Sequence, residues 1–277
     1  MALQIIIKER GMKIITETER LIIREIEISD TDVMLELHAD PEVHRYLGNK
    51  TIKSREGIID AINSLGKQYA NFGVGRWAMI NKNTDEFIGW TGLQFVTESI
   101  NNHKNYYDLG YRLLKKFWGQ GFATESAFAS IDYVFNKLGA TEIYAMADID
   151  NVGSNKILKN VGLRFVESFD NEGVKHNWYK LTSSEYESEK YKSEILDKIC
   201  YTDLVYGRIN KKLNKQLSKD QIEEMIITII KETDNSGFFK KGKNIYITNN
   251  NRNVRLTINS YTNRIITVDS LIEKTTK

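Results

Sequence analysis

The run Trp118-Gly119-Gln120-Gly121-Phe122-Ala123-Thr124-Glu125 holds the residue types that grip an anion. Glycines at 119 and 121 admit positive φ and let a phosphate approach the main chain with no Cβ in the way. The run lies between a strand-like stretch, Tyr106 to Leu114, and an amphipathic helical pattern from Ala123 to Leu138. Strand, glycine-paired turn and helix is the arrangement that points several backbone N–H groups and a helix dipole at one anion. The same spacing also serves a plain connecting turn, so a second signal is needed.

That signal lies downstream. Glu142 to Ala147 reads as a strand, followed by Asp150-Asn151-Val152-Gly153-Ser154-Asn155, a short helix, and Asn160-Val161-Gly162-Leu163-Arg164-Phe165. Upstream stand Thr18-Glu19-Arg20-Leu21-Ile22-Ile23-Arg24 and Ala39-Asp40-Pro41-Glu42-Val43. Together these runs resemble the acetyl-coenzyme A-dependent N-acetyltransferases of the GNAT superfamily, and within it the subgroup related to the ribosomal-protein N-terminal acetyltransferases. The resemblance covers roughly Lys13 to Leu181 and ends on the stretch around Trp178.

The resemblance implies an α/β fold with a mixed central sheet, acetyl-coenzyme A as co-substrate and a primary amine as acceptor. Backbone amides of Gly119, Gln120, Gly121, Phe122, Ala123 and Thr124 would hold the pyrophosphate. Trp118 stands where many members carry Arg or Gln, so the turn itself brings no charge, and Glu125 should point away from the anion. Two splayed strands would take the pantetheine arm between them, with the backbone of Tyr111 and Leu113 contacting it and Asn151 hydrogen-bonding it. Asn151 also reads simply as a helix N-terminus. Where many members place a tyrosine acid this chain has Leu158, and Ser154 resembles the subgroup's alternative group for the departing sulfur; it also fits a helix residue bonding its own backbone. Asp108 aligns with a strand carboxylate that acts as base in some relatives, or it is a surface residue at the strand entrance. The acceptor would be contacted by His44 to Ser54, Tyr69 to Arg76 and the last hairpin.

The acceptor determines how much a base matters. An α-amino group near pKa 7.8 is neutral in roughly one molecule in seven at pH 7, a lysine in about one in 2,500. His38, His44, His103 and His176 show no ligand spacing, so no metal is expected, and His176 reads as a satisfied strand histidine.

Around these residues the elements follow a consistent order. Leu21 to Ile26 reads as a strand, Ser29-Asp30 caps a helix running to Ala39, and Asp40-Pro41 breaks it. Ser54 caps a second helix with Ile58, Ile59, Ile62, Leu65 and Tyr69 at helical spacing. Trp77 to Ile80, Phe87 to Val96, Leu163 to Phe169 and Val174 to Leu181 read as further strands, the last pair joined by the Asp170-Asn171-Glu172-Gly173 turn.

Composition divides the chain. From Lys190 onward there are 17 basic and 10 acidic residues, a net +7; the remainder has 22 and 27, a net −5. Thr182 to Glu189 is polar and reads as a linker or a solvated helix start. Beyond it, Ile195 to Leu213 carries apolar residues on one helical face with a possible break at Gly207, and Ser218 caps a second helix. Three strands follow, Asn244 to Thr248, Val254 to Asn259 and Arg264 to Val268. The division is an N-terminal extension (1–12), an acetyltransferase domain (13–181), a linker (182–190) and a small basic α+β domain (191–277) of two helices and a three-stranded sheet. Tyr201 to Asn210 and Arg252 to Thr257 resemble a small bacterial domain family of unknown function, which assigns no chemistry.

A lone Cys200 suits a reducing, cytoplasmic setting, and no apolar run reaches a membrane span. The first residues lack the basic segment and cleavage site of a signal peptide, and Met12 would serve as an ordinary start. From a different class comes a nucleic-acid- or ribosome-binding protein. It would act through Lys211, Lys212, Lys215, Lys240, Lys241, Lys243, Arg252, Arg255 and Arg264, although no reader motif is present. Two modules of opposite charge also allow a homodimer.

Overall fold

The computed structural model describes residues 13–48 and 51–271. The expected extension 1–12, and residues 49 and 50 of one acceptor segment, lie outside the described residues. The chain divides into two compact units, Met1–Ser183 and Ser184–Lys277.

Eight strands form one sheet in the first unit: β1 (Ile14–Glu17), β2 (Leu21–Glu25), β3 (Arg76–Asn81), β4 (Phe87–Val96), β5 (Tyr106–Leu113), β6 (Glu142–Asp148), β7 (Arg164–Asn171) and β8 (Val174–Thr182). Their order is β1-β2-β3-β4-β5-β6-β8-β7. Among the described strands of this sheet only β5 and β6 pair in parallel, joined by a helical crossover. The helices are α1 (Thr31–Ala39), α2 (Pro41–His44), α3 (Arg55–Phe72), α4 (Phe122–Asn136) and α5 (Val152–Asn160). This is the mixed central sheet flanked by helices that the sequence predicts. The short edge strand β1 is an addition to that reading.

Local chemistry sets the helix ends. Asp40 Oδ1 accepts from the Glu42 amide at 2.9 Å with Pro41 in the first helical position, and Ser54 Oγ accepts from the Gly57 amide at 3.1 Å. Gly73 closes α3 at φ 68°, a left-handed conformation that glycine adopts freely.

The register sorts the sheet into two chemically different faces. Thr91 on β4 lies opposite Tyr111 on β5, and its hydroxyl meets Ser130 of α4 at 3.2 Å. Trp77 pairs with Thr91 and packs edge-on against Tyr133 of α4 at 5.2 Å. Odd-numbered β5 residues therefore face α4, and Asp108, Gly110 and Arg112 face the other way, with Trp90 and Arg76.

In the second unit the polar stretch read as a linker or a solvated helix start is the latter, the start of helix α6 (Ser183–Lys198), so residues 183–190 are helical and not a separate linker. Helices α7 (Asp203–Leu213) and α8 (Lys219–Glu232) follow, so there are three helices where two were expected. The break falls before Asp203 rather than at Gly207. Cys200 there donates its amide to the Asn263 carbonyl and accepts from the Ile265 amide, both at 3.1 Å, which pulls the backbone out of the helix. Gly207 stays helical, since a mid-helix glycine costs only about 1 kcal/mol and Val205 and Ile209 beside it are buried in the core. The sheet has four strands, not three: β9 (Phe238–Lys241), β10 (Asn244–Asn249), β11 (Val254–Asn259) and β12 (Ile265–Ser270), an antiparallel meander in the order β12-β11-β10-β9. The missed strand, β9, alternates only one buried residue, Phe238, with exposed ones, too short a pattern to read alone.

Candidate active site

The glycine turn has the form its sequence demands. Gly119 and Gly121 sit at φ 73° and 82°, and nothing lies within 4 Å of where a Gly119 Cβ would stand. Gly121 is the N-cap of α4, and no side chain caps that end. The first intrahelical bond runs from the Glu125 amide to the Gly121 carbonyl at 3.0 Å, which leaves the amides of Phe122, Ala123 and Thr124 as unpaired helix-start donors. These groups fit an anionic phosphate ester, as expected from a positive dipole end with room above it.

Charge reaches the turn from elsewhere. Arg20 stacks over the Phe122 ring at 4.3 Å, and its Nη1 donates to the Gln120 carbonyl at 2.9 Å. Its Nη2 is 3.4 Å from the position a Gly121 Cβ would take. Glu125 turns away from the anion cradle as expected: it accepts from Arg20 Nε at 2.6 Å, from the Arg20 amide at 3.0 Å and from Thr18 Oγ1 at 2.5 Å. Burial alone would push its carboxyl up, but the bonds from Thr18 and Arg20 outweigh this and hold it below its ordinary value. Arg20 thus places a guanidinium, paired through Nη2 with Glu125 at 2.6 Å, beside a turn in which Trp118 brings no charge. Trp118 instead donates its indole Nε1 to the Leu113 carbonyl at 2.9 Å and bolts the turn to the strand end, leaving Leu113 its amide rather than its carbonyl for a ligand. Gln120 Nε2 bonds back to the Lys116 carbonyl at 2.9 Å.

Beyond the turn, β5 and β6 separate. Asp108 opposite Tyr144 is the one registered pair between these two strands, and none is registered from Leu109 to Leu113. At the opening the Tyr111 hydroxyl lies 3.1 Å from Ser154 Oγ and 3.2 Å from the Ser154 carbonyl. Burial pushes the Tyr111 phenol well above its ordinary value, so it stays protonated, a donor. Two residues singled out separately in the sequence thus meet across the splay, through the Tyr111 side chain as well as its backbone position.

Asn151 caps α5, its Oδ1 accepting from the Ser154 amide at 3.0 Å, so its Nδ2 is what it can offer a ligand. Asn155, buried, ties the region together. Its Nδ2 donates to the Asp148 and Asn151 carbonyls, both at 2.8 Å, and its Oδ1 accepts from Asn177 at 2.8 Å and Tyr179 at 2.7 Å. Leu158 is 1 % exposed and belongs to the core.

On the opposite face Asp108 is paired with Arg76, Nη2 to Oδ2 at 2.5 Å. Arg76 Nη1 bridges the Gly92 and Asp108 carbonyls at 2.7 and 2.8 Å, and a Cβ on Gly110 would stand 2.8 Å from the guanidinium. Gly110 is what lets the arginine cross the strand. Burial pushes the Asp108 carboxyl up, against the pull of Arg76. His176 Nδ1 lies 3.0 Å from the Val174 carbonyl of its own hairpin. Among the described residues no group of three or more His, Cys, Asp or Glu could hold a metal ion.

Residues 20–164, just over half of the 277-residue chain, match the acetyltransferase (GNAT) domain. The chain belongs to the GNAT acetyltransferase family. It is 29% identical over 177 residues to the uncharacterized N-acetyltransferase YoaA of Bacillus subtilis, covering 64% of this chain and 94% of YoaA. It is 31% identical over 163 residues to the uncharacterized N-acetyltransferase p20 of Bacillus licheniformis, covering 59% of this chain and 86% of p20. A solved structure of RimL, a ribosomal alpha-N-protein acetyltransferase in complex with coenzyme A, superposes with a TM-score of 0.53 at 17% identity, over 61% of this chain and 98% of that one; the likeness is one of fold. Residues 193–269 match a family described as a protein of unknown function (DUF3781). This GNAT acetyltransferase is therefore an N-acetyltransferase fused to a second region that no activity describes. None of its helices, among the described residues, is long and apolar enough to cross a membrane.

Sequence reasoning missed three groups in this GNAT site. Arg20 lay in a quoted run, but nothing local showed that it would reach a turn a hundred residues away. Asn155 closed the Asn151 motif, yet a buried polar hub is recognised only by its four partners. The Tyr111 phenol carries no sequence signal, because strand spacing points to the β5 backbone and not to what a side chain meets across the sheet.

Proposed function

We propose that the chain moves an acetyl group from acetyl-coenzyme A to a primary amine by direct attack in a ternary complex. The observation that carries this is the opening between β5 and β6, with the Tyr111–Ser154 hydroxyl pair at its mouth and the glycine turn beyond. The amides of Gly119 to Thr124, with Arg20, would hold the pyrophosphate, and Asn151 Nδ2 and the β5 backbone at Tyr111 and Leu113 the pantetheine. When bound, the coenzyme presents a thioester carbonyl that an amine can attack.

The chain's own residues then manage two protons. The amine nitrogen forms the new C–N bond as the C–S bond breaks, and the sulfur leaves with the electron pair. Ser154 Oγ, with the Tyr111 phenol behind it, donates a hydrogen bond to that sulfur. A thiol pKa near ~8.5 makes full protonation unnecessary. Asp108, on the other face of β5, takes the amine's proton, directly or through water; its burial raises its basicity, and Arg76 fixes one oxygen. The domain division at 182–190 is part of this reading: residues 13–181 carry the transfer. Several cations in the second unit are engaged internally, Lys212 with Asp269 and Arg252 with Glu232, which weakens the case for a phosphate-gripping surface there.

The test is a screen of amine classes with coenzyme thiol release as readout, alongside calorimetry with acetyl-coenzyme A. Binding together with amine-dependent release supports the reading. A folded protein that fails to bind the coenzyme, or releases thiol equally without any amine, would overturn it.

A further inference from the structure

The face of β5 that carries Asp108 also carries a largely buried cation with no anion among the described residues. Arg112 Nη1 lies 3.2 Å from His38 Nδ1 on α1 and 3.2 Å from His44 Nε2 on α2. Its guanidinium stacks at 5.0 Å on the Trp90 ring, and Arg76 stands at 5.2 Å from the same ring. Arg76 has Asp108 as its counter-ion. Arg112 has none among the described ion pairs, and its Nε is buried without a hydrogen-bond partner. The groups that surround it are two imidazoles and a second guanidinium. Burial, then the Arg112 charge, hold the His38 imidazole down to about 4, so at neutral pH it offers a lone pair and no charge. Burial and the Arg76 charge hold Arg112 down to about 10, and it remains cationic.

A charge taken from water is costly unless paired. A guanidinium whose buried Nε has no partner, backed by an aromatic ring, the neutral His38 and the His44 ring, is suited to receive a planar carboxylate. Its place in the site says whose carboxylate. Tyr111 and Ser154 receive the sulfur on the α4 and α5 side, so the amine must arrive on the side of Asp108, Gly110 and Arg112. Between Asp108 and Arg112 the Arg76 guanidinium lies over Gly110, so a ligand that joins the two ends passes over that guanidinium, and the two Cα atoms are roughly 13 Å apart at the usual strand rise.

We propose that Arg112 is the acceptor-selecting residue, and that the preferred substrate is a primary amine that also carries a carboxylate. This rests on the acetyl-transfer reading above. The amine sits by Asp108 and the carboxylate in the Arg112 fork, so specificity follows the distance between the two groups.

The experiment compares kcat/KM for matched amines on the full chain: a series of ω-amino acids up to aminohexanoate against alkylamines of the same length, and a tetrapeptide beginning Ala-Asp against one beginning Ala-Asn. Wild type should favour the carboxylate partner about 10-fold or more, the worth of a charge-assisted bond. Arg112→Met should bring that ratio to about one, while Arg112→Lys, which keeps the charge and loses the fork, should retain part of it. The small-molecule and peptide arms tell a free amino acid from a protein N-terminus. No preference in wild type, or a preference that survives in folded Arg112→Met, would overturn the proposal. Should no amine be acetylated at all, the transfer reading fails and the fork is still tested by calorimetry with N-acetyl-aminohexanoate on protein saturated with coenzyme A. Binding lost in Arg112→Met would uphold a carboxylate site; absence of binding in wild type would remove it.

Discussion

The two faces of β5 solve opposite electrostatic problems a few ångströms apart. Toward α4 and α5 the strand presents neutral donors, the Tyr111 and Ser154 hydroxyls, and beyond them helix-start amides. Toward α1 and α2 it presents formal charges, Asp108, Arg76 and Arg112, among histidines and Trp90. Oriented neutral dipoles can meet a polyanion without a large desolvation cost, whereas charges buried in a sheet face are stable only when each finds a partner. The first face suits a ligand of fixed chemistry. The second suits a partner chosen by charge.

The largest expected effect attacks the neutral face. Gly121→Glu places a carboxylate at a left-handed N-cap, where the amides expect an anion, and should weaken acetyl-coenzyme A binding ~100-fold or more, since lost amide bonds and repulsion cost on the order of 3 kcal/mol. Unchanged affinity by calorimetry, in a variant with a native circular dichroism spectrum, would move the coenzyme off this face. Next come Ser154→Ala and Tyr111→Phe, each expected to lower kcat by ~10- to 100-fold with coenzyme affinity largely kept. Because the two hydroxyls share one bond, the double variant should lose less than the product of the single losses. A fully multiplicative loss in steady-state kinetics would separate their roles.

The charged face should show itself in pH. His38 binds a proton near 6.5 when unfolded and near 4 when folded, because burial and then Arg112 disfavour its cation. The unfolded chain therefore takes up that proton first, so the stability contribution is full above pH 6.5 and is lost as pH falls toward 4. Thermal midpoints measured from pH 7 to 4 should fall more steeply in wild type than in His38→Gln. Parallel curves would show that the imidazole is not held neutral. The smallest effect is expected from ending the chain at Ser183, since both faces lie within the first unit. Coenzyme affinity should stay within ~2-fold, the usual limit for independent sites. A truncated protein that is insoluble or no longer binds would end the two-domain division.

Much of the first unit was legible because its signals are local. The glycine pair at 119 and 121, the caps at Asp40 and Ser54, and the period-two runs of β4 and β5 act over a few residues, and the observed elements keep their positions within a residue or two. The second unit was read less well for the same reason in reverse. The helix end at Lys198 depends on a backbone pairing of Cys200 with residues 263 and 265, and β9 forms by pairing with β10.

The sequence alone determined the family pattern, the glycine-paired turn at the start of α4, the presence of Asn151 and Ser154 after β6, and the charge difference between the two units. Tertiary structure decided which charges answer each other. That Arg20 reaches the Gln120 carbonyl and pairs with Glu125, and that Arg76 takes Asp108 and leaves Arg112 bonded, among the described residues, to histidines, all follow from strand register and helix placement over separations of tens to a hundred residues. Electrostatic pairing depends on distance and desolvation in space, and neither can be read along the chain.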